Sequence, residues 1–336
     1  MQRKIKIIGT GSALPPRIIT NYDLEKILNT SDEWIRERTG IRERHIVACP
    51  ITSPASDESI ATSDLVVEST KIALRDAGLG VKDLGAIIVA TASPDTIYPS
   101  TACWAQKKLE VPGIPAFDIS AACSGFLYGL ELASALIESG RYRNILVSGA
   151  EVMSKIVNWE DRETCVLFGD GAGSVIVDKA QDDRGIISSY LGADGTLGEL
   201  LYQPAGGTRM PASQETIDKK LHTVHMKGRE VFKYAIRTMG DSALRVLKEA
   251  NLTSDDIALF VPHQANLRIV EATCERVNMP MERTHLIIHK YGNVPAASIP
   301  LTLDDALRAG RIKRGDLLLF TAFGGGLTWG AMVLKW

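Results

Sequence analysis

The stretch ALRDAGLGVKDLGAIIV (residues 73–89) is matched later in the chain by ALRVLKEANLTSDDIALFV (243–261). Each stretch has the pattern of an amphipathic helix, a turn containing Leu and Asp, and a buried strand. Two more matched pairs follow in the same order: ALIESGRYRNILV (135–147) with ALRAGRIKRGDLLLF (306–320), and FGDGAGSVIV (168–177) with FGGGLTWGAMVL (323–334). Three pairs in one order predict two similar α/β halves, which we place at residues 1–178 and 179–336.

Short apolar runs rich in β-branched residues alternate with helical patterns along the chain. Such runs are typical of strands that are buried on both faces in a layered α/β fold. They lie at residues 5–8, 86–89, 145–147, 175–177, 259–261 and 317–320. In a molecule of two similar halves, loops at equivalent strand ends can meet at one site.

Composition limits the classes of function. The 336 residues are 45% hydrophobic and carry a net charge of −2, which gives no electrostatic reason to expect binding to nucleic acid or to an anionic membrane. The N-terminal stretch lacks the apolar length of a signal peptide, so we expect a soluble, cytoplasmic protein. The five cysteines are odd in number and widely spaced, which fits a reducing compartment rather than disulfides or a zinc site.

Cys123 lies in FDISAACSGFLYGLELASALIESGR (117–141), between an expected strand end and an expected helix that begins near the cysteine. The positive end of a helix favours the thiolate, which is the nucleophilic form of cysteine. Small neighbours on both sides leave room for a substrate. From this segment alone, a nucleophile and a buried structural cysteine are equally good interpretations.

Two polar residues of the second half extend this interpretation. His263 in VPHQANLRI (261–269) follows an expected buried strand, and Asn293 lies in a Gly-Asn turn. Each residue alone is more typical of a structural role, but the duplication predicts that both lie at the edge of the fold that carries Cys123. The glycines of AFGGGLTWG (322–330) do not fit a Walker pattern and are better explained as close backbone approach forming an oxyanion hole.

Together these motifs resemble those of the β-ketoacyl-[acyl-carrier-protein] synthase III family, across nearly the whole chain. The resemblance is carried by seven ordered motifs: GTGSALPP (9–16), SDEWIRERTGIRERH (31–45), AACSGF (121–126), FGDGAG (168–173), VPHQANLRI (261–269), YGNVPAAS (291–298) and AFGGGLTWG (322–330). It implies the five-layered αβαβα thiolase fold and a homodimer. It also implies an acyltransferase that condenses an acyl-CoA primer, usually acetyl-CoA, with malonyl-acyl carrier protein (malonyl-ACP), without a metal or organic cofactor.

The resemblance also implies roles for individual residues. Cys123 would carry the acyl group, His263 and Asn293 would assist decarboxylation, and the N–H groups of Cys123 and Gly325 would form the oxyanion hole. The expected CoA contacts are Trp34, Arg38, Thr39, Arg162 and Asn266. The expected carrier-protein contacts are Lys233, Arg268 and Arg276. The expected acyl pocket consists of Tyr98, Met153, Phe168, Leu201, Val224 and Phe323, with Tyr98 reaching across the dimer interface.

Two segments depart from the family pattern. Val294-Pro295 stands where the family commonly has Thr-Ser, and proline removes one N–H donor beside Asn293. Residues 48–57 suggest a slightly longer loop near the CoA entrance.

Other interpretations stay open at this point. One is a secondary-metabolism relative that transfers or condenses acyl groups onto a different acceptor, and another is a non-catalytic acyl-binding protein. A true thiolase would need a second active-site cysteine, and Cys274 is not in a suitable motif. A hydroxymethylglutaryl-type synthase would need a catalytic carboxylate, for which no motif is evident.

Overall fold

The structure is a computed structural model that describes residues 5–50 and 59–336. The predicted loop at residues 48–57 therefore lies mostly outside the described residues. The strands are β1 Ile5–Ala13, β2 Ile18–Thr20, β3 Glu43–His45, β4 Ala86–Ala90, β5 Ala116–Ile119, β6 Ile145–Val152, β7 Asp170–Lys179, β8 Gly185–Ala193, β9 Leu201–Tyr202, β10 His225–Met226, β11 Leu259–Pro262, β12 Leu317–Gly324 and β13 Thr328–Lys335. The α-helices are α1 Asn21–Leu24, α2 Asp32–Thr39, α3 Thr62–Ala77, α4 Thr101–Leu109, α5 Gly125–Glu138, α6 Gln214–Asp218, α7 Gly228–Glu249, α8 Leu267–Val277, α9 Ile288–Tyr291 and α10 Ser298–Arg308.

Two main sheets repeat one topology. The first has the strand order β1-β7-β6-β4-β5, and the second has the order β8-β13-β12-β11. In the first, β4 and β6 are parallel while β7 and β1 continue antiparallel. In the second, β11 and β12 are parallel while β13 and β8 continue antiparallel. The three matched sequence pairs thus correspond to equivalent positions in the two sheets.

The inner strands of both sheets are buried on both faces, which explains their continuous apolar sequences. All five residues of β4 are buried, as are all eight of β6. Alternate residues of β4 enter different cores, because successive side chains in a strand point to opposite faces. Ile88 belongs to the core between the sheets, and Ile87 and Val89 belong to the core on the outer face.

The five layers pack around one central core and two outer cores. Helices α3 and α4 cover the outer face of the first sheet through Val66 and Ala105. Helices α5 and α10 lie between the sheets, with Phe126 and Leu303 in the central core. Helices α7 and α8 cover the outer face of the second sheet. This arrangement confirms the predicted αβαβα architecture.

We propose that the halves divide after residue 178, as the sequence predicts. In support, β7 ends at Lys179 and the next strand, β8, joins the second sheet. Within the described part of the chain, no helix combines the length and the apolar character that a membrane span requires.

Candidate active site

The turn that carries Cys123 joins β5 to α5. Residues Ala122–Ser124 form a short 3₁₀ helix that runs directly into α5, so Cys123 lies at a helix start as predicted. Ala122 has a φ of 44°, a left-handed conformation that costs an alanine about 1 kcal/mol or more. The strained turn directs the Cys123 side chain toward the second half of the molecule, where it is only 7% exposed.

The glycine-rich hairpin of the second half packs directly on this turn. A Cβ at Gly324 would lie 2.6 Å from the backbone nitrogen of Cys123 and 3.1 Å from its Sγ. The Thr328 hydroxyl donates to the Ala121 carbonyl at 2.7 Å and lies 2.6 Å from the Ser124 hydroxyl. Close backbone approach, as predicted for the glycines, therefore joins the hairpin to the cysteine.

The predicted preference for the Cys123 thiolate is wrong for the protein without substrate. Burial raises the pKa of the Cys123 thiol to about 12, and the nearby Glu151 carboxylate adds to the increase, whereas a backbone N–H lowers it less. Removal of the thiol from water disfavours the anion more than the helix start favours it. Cys123 is therefore a neutral thiol at pH 7.

His263 and Asn293 come from two segments of the second half. His263 follows β11 and is 1% exposed, and Asn293 follows α9 and is 6% exposed. Burial lowers the pKa of His263 to about 3, so its ring is neutral at pH 7. Among the described residues, neither ring nitrogen of His263 nor Oδ1 of Asn293 has a hydrogen-bond partner. Buried polar atoms without partners are costly, which is typical of a site that binds a polar substrate.

The backbone of Asn293 is fixed by the first half. Its N–H donates to the Leu167 carbonyl at 2.8 Å, and its carbonyl accepts from the Gly169 N–H at 2.9 Å. Phe168, between these partners, belongs to the expected acyl pocket. The FGDGAG segment therefore holds the Asn293 turn.

One cavity of about 1210 Å³ brings these groups together. Cys123, His263, Asn293 and Gly325 all line it. It is also lined by Trp34, Arg38, Thr39, Asn266, Lys233, Arg268, Met153, Phe168, Leu201, Val224 and Phe323. The cavity thus joins the expected nucleophile to most of the expected CoA, carrier-protein and acyl contacts.

Helix α2 presents the expected adenine site. Ser31 caps its first turn by accepting the Trp34 N–H, and Gly40 ends it in a left-handed conformation. The guanidinium groups of Arg38 and Arg162 lie 4.7 and 5.1 Å from the centre of the Trp34 ring. Arg162 does not line the cavity, and it donates to the Asn29 carbonyl.

The expected α2 site is tied to the second half. The Asn266 side chain donates to the Arg38 carbonyl at 2.9 Å. Thr39 is buried, and its hydroxyl donates to the Ile35 carbonyl.

The three basic residues expected to bind the carrier protein differ in whether they line the cavity. Lys233 and Arg268 line the cavity, whereas Arg276 does not and instead pairs with Asp241. Lys227 and Arg229 also line the cavity. These two cations were not predicted from the sequence, although only Gly228 separates them in HMKGRE (225–230).

Tyr98 does not line the cavity of its own chain. It is 86% exposed, and the neighbouring Ile97 is 77% exposed. The chain by itself therefore does not place Tyr98 in the expected acyl pocket.

Glu151, which was not predicted from the sequence as a site residue, is fully buried near Cys123. The sequence does contain a clue, because Glu151 is the one charged residue in the largely apolar strand β6, close to its end. Among residues 5–50 and 59–336, no cluster of three or more His, Cys, Asp or Glu side chains could hold a metal ion. The expectation that no metal is needed stays a prediction.

Comparisons with known proteins agree with this geometry. Residues 117–195 match the model of the 3-oxoacyl-[acyl-carrier-protein (ACP)] synthase III family, and residues 247–336 match that of its C-terminal region. The chain is 54% identical over 330 residues to the β-ketoacyl-[acyl-carrier-protein] synthase III of Caldanaerobacter subterraneus, covering 98% of this chain and 97% of that protein.

Two further relatives extend the comparison. The β-ketoacyl-[acyl-carrier-protein] synthase III of Clostridioides difficile is 48% identical, over 100% of this chain and 99% of that protein. The crystal structure of 3-oxoacyl-[acyl-carrier-protein] synthase III from Aquifex aeolicus superposes with a TM-score of 0.89 at 47% identity, covering 99% of this chain and 100% of that one. The chain therefore belongs to the 3-oxoacyl-[acyl-carrier-protein] synthase III family of thiolase-fold enzymes.

Proposed function

We propose that this acyltransferase condenses a short acyl-CoA, with acetyl-CoA as its usual primer, and malonyl-ACP to give 3-ketoacyl-ACP, CoA and CO2. Family membership supports the reaction type. The single observation that carries the assignment of roles is the cavity shared by Cys123, His263 and Asn293, in which both ring nitrogens of His263 and Oδ1 of Asn293 have no hydrogen-bond partner among the described residues.

In the first half-reaction, Cys123 Sγ attacks the carbonyl carbon of the acyl-CoA thioester. The thiol proton leaves with the departing CoA sulfur, so a new thioester replaces the old one and CoA-SH is released. The N–H groups of Cys123 and Gly325 would hold the oxyanion of the tetrahedral intermediate. Because the resting thiol has a raised pKa, the thiol proton must be lost as the new bond forms.

In the second half-reaction, malonyl-ACP loses CO2 and its thioester becomes an enolate. His263 and Asn293 would donate hydrogen bonds to the thioester oxygen as this charge develops. A neutral imidazole can donate from one ring nitrogen, and the lowered pKa of His263 keeps the ring neutral near pH 7. The enolate carbon then attacks the acyl carbonyl on Cys123, and the carbon–sulfur bond breaks to return the thiolate, which takes up a proton.

The same family membership supports a proposal for the binding partners and the cellular location. Trp34, Arg38, Thr39, Arg162 and Asn266 would bind CoA, with an indole to stack on the adenine and guanidinium groups for the phosphates. Lys233, Arg268 and Arg276 would receive the acidic carrier protein. We also propose that the enzyme works in the cytoplasm as a homodimer without a cofactor. The exposure of Tyr98 supports a second copy at that surface.

The acyl group would lie among Met153, Phe168, Leu201, Val224 and Phe323, all of which line the cavity. Tyr98 of a second copy would close this pocket. A large aromatic side chain there favours short, straight primers.

Two variants test the assignment. Cys123→Ser is expected to abolish labelling by radioactive acetyl-CoA. His263→Ala is expected to keep that labelling and to lose decarboxylative condensation by about a hundredfold or more. Equal labelling of Cys123→Ser and the wild type would refute the nucleophile, and condensation that proceeds without any carrier protein would instead favour an acceptor other than malonyl-ACP.

A further inference from the structure

Glu151 is an ionisable residue that the proposed reaction does not use. It lies near the end of β6 and is 0% exposed. Glu151 does not line the cavity. Ala92, whose N–H donates to Glu151, does line it, and so does Pro295, which precedes another donor to Glu151, Ala296. Glu151 therefore lies behind the cavity wall, close enough to Cys123 for its charge to influence the thiol.

The Glu151 carboxylate accepts hydrogen bonds from both halves of the molecule. From the loop after β4 it accepts the Ser93 hydroxyl at 2.5 Å, the Ala92 N–H at 3.1 Å and the Thr91 hydroxyl at 3.3 Å. From the second half it accepts the Ala296 N–H at 3.3 Å. A single side chain thus connects the cavity wall of one half to the segment that follows Asn293 in the other.

Backbone hydrogen bonds of the segment from Asn293 to Ala296 include those of Asn293 with Leu167 and Gly169, and one from the Ser298 N–H to the Pro295 carbonyl at 3.4 Å. Pro295 has no N–H to donate. On the other side of the Ala296 peptide, β6 approaches so closely that a Cβ at Gly149 would lie 2.0 Å from the Ala296 carbonyl oxygen. Ala296 is therefore held between Gly149 and Glu151, and loss of the carboxylate would leave its buried N–H without that acceptor.

We propose that Glu151 is a positioning residue that fixes the Asn293 segment for decarboxylation of the extender. This inference rests on the proposed condensation. The Asn293 turn is held by Leu167 and Gly169 at its start and by Glu151 just beyond its end. Attack of Cys123 on acyl-CoA does not use Asn293, so Glu151 matters for the second half-reaction and much less for the first.

Although its hydrogen bond supports the Asn293 segment, the negative charge of Glu151 disfavours the Cys123 thiolate. Burial raises the pKa of Glu151 to about 7, so the group is ionised above that pH. Its negative charge then contributes to the raised pKa of the Cys123 thiol. Removal of the charge favours the thiolate, whereas removal of the hydrogen-bond acceptor displaces the Asn293 segment, and the two effects can be measured separately.

Two substitutions separate these effects. Glu151→Gln removes the charge but keeps a carbonyl oxygen that can accept from Ala296, and Glu151→Ala removes both. As a matched control, Asp178→Ala removes another buried carboxylate, which pairs with Arg143 near the far end of β7. Each variant would be assayed for acylation by labelled acetyl-CoA, for decarboxylation of malonyl-ACP, for thermal unfolding and for the pH profile of Cys123 alkylation by iodoacetamide.

We expect Glu151→Ala to slow decarboxylation by about tenfold to a hundredfold while acylation stays within about threefold of wild type. Glu151→Gln should decarboxylate within about threefold of wild type. In both variants the alkylation profile should move to lower pH, which a purely structural role would not cause. Asp178→Ala should change neither the ratio of the two half-reactions nor the alkylation profile.

The inference would be overturned if Glu151→Ala decarboxylated like wild type, or if it lost both half-reactions by the same factor. The inference would also be overturned if Glu151→Gln lost as much decarboxylation as Glu151→Ala, because the retained hydrogen-bond acceptor would then be irrelevant. A wild-type chain that failed to condense would overturn the proposed function and this inference with it. A condensing wild type beside an equally active Glu151→Ala would overturn the inference alone.

Discussion

Gly324 lies against Cys123 so closely that a Cβ on the glycine would be 2.9 Å from the Cβ of the cysteine. The glycine belongs to β12 of the second sheet, and the cysteine to the turn before α5 of the first half. Contact between these two residues therefore decides where the sulfur stands relative to the groups of the second half.

Substitution of Gly324 tests this contact. Gly324→Ala forces the Cys123 turn or the hairpin to move, and we expect acylation by labelled acetyl-CoA to fall by about a hundredfold. Gly195→Ala is the control, because a Cβ at that exposed position meets nothing within 4 Å. Unchanged acylation in Gly324→Ala would show that the site does not depend on this approach.

The raised pKa of the Cys123 thiol predicts a distinctive pH dependence. Below a pKa of about 12, the thiolate fraction rises about tenfold with each pH unit. Alkylation of Cys123 by iodoacetamide should therefore keep increasing from pH 7 to pH 9.5, after subtraction of the rate in Cys123→Ser. A plateau below pH 8 would mean that the helix start outweighs burial after all.

Arg268 and Arg276, both on α8, should contribute unequally to carrier-protein binding. Arg268 lines the cavity, whereas the charge of Arg276 is already paired with Asp241. We expect Arg268→Ala to raise the KM for malonyl-ACP by about tenfold and Arg276→Ala by less than about threefold. The measurement is steady-state condensation at low salt, and a larger effect of Arg276→Ala would contradict the expected order.

Asp305 on α10 stabilises the segment that leads to Asn293. It accepts from His285 at 2.7 Å and from Lys290 at 2.5 Å, and these hydrogen bonds lower the pKa of its carboxyl to about 2. Because the folded-state pKa is lowered, the stabilisation is present above about pH 4 and is lost as the pH falls toward 2.

Asp305→Asn should therefore lower the free energy of unfolding by about 2 kcal/mol at pH 7, and the deficit should shrink below pH 4. Chemical denaturation at pH 7 and pH 3 measures both values. Asp255→Asn is the control, since Asp255 pairs with Arg283 on the surface and is worth under about 1 kcal/mol. A deficit that did not change with pH would refute the linkage.

The duplication explains why so much of the fold was predictable from sequence. Runs such as 86–89 and 259–261 indicate strands buried on both faces, because they are short, continuously apolar and rich in β-branched residues. Cys123, His263 and Asn293 were predicted as site residues because each follows a strand or precedes a helix within a recognisable motif, and Gly325 because of its glycine loop. The structure places all four around one cavity.

Other features of the site depend on contacts between distant segments and have no local signal. Part of the burial around Cys123 comes from Gly324 of the second half, which a helix-start argument could not anticipate. The pairing of Arg276 with Asp241 joins α8 to α7, and the bond from Ala296 to Glu151 joins the two halves. Such relationships arise only after the sheets have been stacked.

The equivalent positions of α5 and α10 have a consequence for the molecule as a whole. The turn before α5 is pressed onto Gly324 of the opposite sheet, and the segment before α10 is pressed onto Gly149 of the other. Each half therefore contributes a glycine against which the reactive segment of the other half packs. A movement that parted the halves would separate the nucleophile from its polar assistants in one event.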